Sequence, residues 1–158
     1  MLNRLRAPRT MLSVVALLAA ASTVAADKPQ FLNSPRALEL DRPFSEAVRA
    51  GDFLFLSGQI GEVPETGKLA EGGLEAEARQ TLTNVKRVLE ANGATTSDVV
   101  KCTVFLADIA EWPAFNTIYR QFFHKPFPAR SALAASGLAM NARVELECVA
   151  YVPPRRGR

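Results

Sequence analysis

Leu74, Ala78, Leu82, Val85 and Leu89 recur at spacings of three and four, which puts an apolar stripe on one face of a helix. Asn92-Gly93 ends that helix, since glycine suits the left-handed backbone after a last turn. A second stripe, Trp112, Phe115, Tyr119 and Phe122, predicts a helix from about Glu111, with all four residues in the core. Lys125-Pro126-Phe127-Pro128 stops it and forces extended backbone. The remaining apolar positions follow the period of strands. Phe53-Leu54-Phe55-Leu56, preceded by Ala47-Val48-Arg49 and the turn Ala50-Gly51-Asp52, reads as a β-hairpin. Residues 62–73 read as a loop around Pro64-Glu65-Thr66-Gly67. Residues 99–107 alternate with Val100, Cys102, Val104 and Leu106 on one side. Residues 130–136 form a strand and 137–142 a turn. Residues 143–152 form a final strand with Val144, Leu146, Cys148 and Ala150 inward, and Arg143, Glu145 and Glu147 outward. The order strand, strand, helix, strand, helix, strand, strand predicts an α/β fold of the α+β type, with both helices on one sheet face.

The first twenty-six residues fall outside that pattern. Arg4, Arg6 and Arg9 precede a short apolar stretch from Met11 to Ala21, and Val24-Ala25-Ala26 offers a small-residue cleavage site before Asp27. We expect a secretory signal over 1–26, cleaved after Ala26 or alternatively Ala25, and a periplasmic or secreted product with no membrane attachment. An uncleaved anchor is the competing reading, against which the apolar run is short. Residues 27–35 read as a loosely held leader, 36–152 as one domain and 153–158 as a frayed tail. Cleavage would remove three of the 19 Lys+Arg and none of the 16 Asp+Glu, so the mature chain is formally neutral, whatever the precursor pI of about 9.1 suggests. That balance argues against a nucleic-acid partner.

The two cysteines, Cys102 and Cys148, lie on the inward side of their strands, where burial as small hydrophobes is the expected fate and a disulfide the alternative. No His or Cys cluster has metal-ligand spacing. His124, the single histidine, sits at a helix end and reads as a cap or an exposed residue. Ser131 has no evident His or Lys partner, which argues against a serine nucleophile. Glu147 reads as a structural partner, to Arg143 or to a neighbouring subunit.

Arg130 follows Phe127-Pro128-Ala129, and Val144-Glu145-Leu146-Glu147 begins fourteen residues later. A guanidinium fork holds carboxylates, and an acid nearby can activate water. Spacing alone leaves both as an exposed arginine and a solvated strand face. A wider set of motifs changes this. Pro43-Phe44-Ser45-Glu46-Ala47-Val48, Ser57-Gly58-Gln59-Ile60-Gly61, residues 80–89, Val100 through Leu106, residues 116–123, Phe127 through Ser131, and residues 144–150 stand in an order that resembles the RidA/YjgF family of reactive imine and enamine deaminases.

The resemblance implies a chorismate-mutase-like domain with a mixed sheet, assembled as a homotrimer with clefts between subunits. It implies hydrolysis of small 2-imino acids to 2-oxo acids and ammonia without a cofactor. Residue by residue, it makes Arg130 the carboxylate anchor and Glu145 the water activator. Phe44, Ser57, Gly58, Asn116, Ser131 and Ala132 would line the cleft. Two positions depart from the family pattern: Phe44 stands where a tyrosine is usual, and Ala132 where a cysteine is frequent. The first departure, with export, favours the alternative of a non-catalytic trimeric binder of small carboxylates or a holdase-like stress protein. A ribonuclease activity, proposed for some relatives, fits poorly with the neutral charge and the absence of a His/Lys dyad.

Overall fold

The computed structural model describes residues 28–153; the expected signal segment and nearly all of the expected tail lie outside them. Its centre is a long strand pair, β7 (Val99–Leu106) and β9 (Val144–Tyr151), antiparallel to each other. On one side β9 pairs with β3 (Phe53–Leu56), which forms the expected hairpin with β2 (Ala47–Ala50). On the other side β8 (Ala129–Ala134) runs parallel to β7 and ends the sheet. A two-residue β4 (Gln59–Ile60) continues the line of β3 along β9. The sheet is therefore mixed.

Both long helices, α2 (Gly73–Ala91) and α3 (Trp112–Phe122), cover one face. Their stripes explain why: Leu82, Val85, Leu89 and Phe115 are fully buried against Val104, Leu106, Val144 and Leu146. Burying one such side chain contributes about 1.5–3 kcal/mol, so Leu82→Ala would cost about 2–5 kcal/mol. Gly93, at φ 74°, turns the chain out of α2 as expected.

Several expectations need correction. The leader supplies β1 (Gln30–Leu32), an edge strand on β2, followed by a short helix α1 (Pro35–Glu39) capped by Ser34. The loop at 62–73 holds a small hairpin, β5 (Glu62–Val63) with β6 (Lys68–Leu69), closed by Gly67 at φ 66°. Trp112 is exposed because it stands at the first turn of α3, beyond the sheet. A register shift between Val99 and Lys101 turns Val99 inward and leaves Val100 exposed.

The cysteines are also corrected. Cys102 and Cys148 are direct partners across β7 and β9, their Cα atoms 4.1 Å apart, and they form a disulfide. Such close pairing is typical of a non-hydrogen-bonded antiparallel position, and two thiols placed there meet.

The uncovered sheet face is apolar at its margins. Phe53, Phe55, Leu133 and Tyr151 are each 43–45% exposed there, and Phe53 packs against Tyr151 with centroids 5.3 Å apart.

Candidate functional site

Arg130 is the second residue of β8, opposite the inward-facing Cys102, and this register turns it toward the helices. Its guanidinium lies 4.6 Å above the Tyr119 ring, a cation–π contact. Nη2 donates to Asn116 Oδ1 at 2.5 Å. Asn116 and Tyr119 are three apart on α3 and so share a face. Among the described residues this is the guanidinium's one protein hydrogen bond, so most of its five N–H donors remain for a ligand. It borders a cleft of about 400 Å³ with Trp112, Tyr119, Phe127 and Pro128. Burial pushes the Tyr119 hydroxyl up to about 12, against a lowering by Arg130, so it stays protonated.

Glu145 sits on β9 between buried Val144 and Leu146, and therefore on the opposite, uncovered face. Its carboxyl is held above the usual range, first by burial and second by Glu147. Gly58 lies against it: a Cβ at that position would come within 2.8 Å of the Glu145 carboxyl carbon. Gly58 shares a pocket with Phe44, Arg42 and Ile60. Ser57 flanks the pocket, but its hydroxyl donates to the Ser45 carbonyl at 2.6 Å and fixes the loop that carries Phe44.

Within one chain these residues form two separate groups. Arg130, Asn116 and Ala132 belong to the helix side of the sheet edge. Glu145, Gly58 and Phe44 form the second group. Ser131 points to the uncovered face, where its Oγ accepts from Lys101 Nζ at 2.8 Å. That lysine corrects the expectation of no partner, but an ammonium that donates to a hydroxyl does not activate it. From Arg130 across two strands to Cys148 and three residues along to Glu145 is roughly 14 Å between Cα atoms.

Sequence reasoning missed the residues that hold the strands of the second group. Glu77 and Asn84, both buried, face the strands from α2. Asn84 Nδ2 donates to the Ile60 and Glu62 carbonyls at 2.9 and 2.8 Å, and Glu77 accepts from the Arg143 backbone at 2.8 Å. With Thr81 they form a polar row at spacings of four and three beside the apolar stripe, which is the signal that could have revealed them. Arg143 pairs with Glu111 rather than Glu147.

An α+β sheet-and-two-helix domain with an arginine-lined cleft at its edge is the class defined by these features. Residues 34–152 match the model of the family described as Endoribonuclease L-PSP. A 2-iminobutanoate/2-iminopropanoate deaminase of Dermatophagoides farinae is 41% identical over 123 residues, covering 78% of this chain and 96% of that protein. The solved structure of RidA from an Antarctic Psychrobacter has a TM-score of 0.69 and 33% identity, covering 77% and 94% of the two chains. Serine-bound TdcF of E. coli matches with a TM-score of 0.65 and 31% identity, over 70% and 88%. The chain belongs to this family, also called RidA/YjgF.

Proposed function

We propose that this protein hydrolyses small 2-imino acids to 2-oxo acids and ammonia, in clefts that neighbouring copies complete. The observation that carries the reading is the placement of Arg130 and Glu145 on opposite faces of one sheet. A small substrate cannot bridge them within one chain, whereas the edge of one copy set against the uncovered face of another brings the pair together. The apolar margin of that face supports closed association, and a homotrimer is the arrangement proposed. The serine bound to the TdcF relative supports a ligand of amino-acid size.

Arg130 grips the substrate carboxylate through its unpaired N–H groups. Glu145, ionised, takes a proton from water as the oxygen attacks the C=N carbon and returns it to the imine nitrogen. The carbinolamine then collapses: Glu145 takes the hydroxyl proton and passes it to the amino nitrogen, the C–N bond breaks, ammonia leaves and the C=O forms. General base assistance of this kind contributes about 10²–10⁴-fold. The residues need no cofactor for these steps. Phe44 contributes a wall, not a hydroxyl.

Export is part of the proposal, because a disulfide between Cys102 and Cys148 suits an oxidising compartment. The test is release of ammonia and 2-oxo acid from imines generated in situ. The pure protein should accelerate it, and Arg130→Ala should abolish the acceleration; equal rates in both would refute the assignment.

A further inference from the structure

We propose that Arg42, held beside Arg36 by Glu62, forms a second anion subsite, so that the preferred substrates are imines of dicarboxylic amino acids. The inference rests on the deaminase reading and names its substrate class. The pocket beside Gly58 is lined by three guanidiniums, Arg36, Arg42 and Arg87, and two carboxylates, Glu46 and Glu62. One carboxylate holds two of the cations: Glu62 Oε1 is 3.4 Å from Arg36 Nη2, and Oε2 is 2.8 Å from Arg42 Nη2. Glu46 Oε1 lies 3.7 Å from Arg87 Nη2.

The cations outnumber the acids, and they are also the exposed partners. The side chains of Glu62 and Glu46 are 14% and 19% accessible, those of the three arginines 39–42%. What the pocket presents to a ligand is therefore positive. Among the described residues, Arg42 makes one hydrogen bond through a single nitrogen, leaving donors unpaired. Its guanidinium is also 6.0 Å from the Phe44 ring centroid.

Gly58 joins this pocket to the Glu145 carboxylate. A substrate with its imine carbon at Glu145 and its α-carboxylate on the Arg130 of a neighbouring copy would run its side chain past Gly58 and Phe44. An acidic end would meet Arg42. An apolar end would displace water from the N–H donors that Arg42 does not spend on Glu62 and offer them no acceptor in return, and this penalty produces discrimination.

The experiment compares imines made in situ from L-glutamate and L-leucine by amino-acid oxidases. The glutamate imine should be hydrolysed with kcat/KM about 10-fold or more above the leucine imine. Arg42→Ala should lower that ratio about 10–100-fold, the effect of losing one charge-assisted hydrogen bond, and Arg42→Lys should restore part of it. Calorimetry with 2-oxoglutarate and 2-oxobutyrate provides a readout without turnover: wild type should bind the diacid more tightly, and Arg42→Ala should not. Equal affinity for the two acids, or a ratio unmoved by Arg42→Ala, overturns the subsite. Turnover of both imines without preference overturns the subsite alone, whereas no acceleration of either, with diacid-selective binding retained, overturns the deaminase reading and leaves the subsite standing.

Discussion

Asn116 Oδ1 accepts from Arg130 Nη2 at 2.5 Å, and the same guanidinium rests 4.6 Å above Tyr119, so α3 fixes the arginine from two sides. A preorganised fork loses less entropy on gripping a carboxylate. Asn116→Ala should therefore raise KM for 2-imino acids by about 10-fold, the scale of one charge-assisted hydrogen bond, with kcat little changed. Steady-state kinetics check this.

Gly58→Ala should act on the Glu145 side. The added methyl would collide with the Glu145 carboxyl group, which must turn away. We expect kcat to fall by about 10²-fold, on the scale of general base assistance, with an unchanged melting temperature. A fall in both would instead indicate damage to the fold.

Glu145 gives a pH dependence with a defined sign. Burial and Glu147 raise its pKa, and the base must be ionised, so activity falls on the acid side at a higher pH than an ordinary carboxylate would give. Glu147→Gln removes the second cause and should move that limb to lower pH. The stability sign is opposite to that of a paired acid: a raised pKa favours the protonated group in the folded state. Its contribution is present below the unfolded pKa and is lost as pH rises through the folded one. Glu145→Gln should therefore be at least as stable as wild type at neutral pH, as read by denaturant unfolding.

The disulfide closes a loop with a sequence separation of 46 residues. Reduction should cost about 2–4 kcal/mol, mainly by freeing the unfolded chain. Denaturant titration with and without reductant measures this, and coincident curves would contradict the bridge.

The stripes of α2 and the alternation of β9 were legible because burial on one face imposes a single period. Trp112 and Val100 were not, because each sits where a period breaks, at a helix start and at a bulge. The disulfide depended on strand register, which no spacing along the chain specifies. Arg130, Glu145, Gly58 and Asn116 were named through resemblance, and the structure supplies the relation between them that the sequence could not. β8 and β9 place the two catalytic candidates on opposite faces. The polar row beside the α2 stripe marked Asn84 and Glu77 as residues to consider, but their pinning of Ile60 and Arg143 depends on tertiary contacts that no spacing along the chain specifies.

The most direct test mixes two inactive variants, Arg130→Ala and Glu145→Gln, after subunit exchange. If each cleft takes its arginine from one copy and its glutamate from the next, an equal mixture should regain about a quarter of the wild-type deaminase sites. No activity beyond that of the separate variants, with mixed oligomers shown to form, would contradict a shared site.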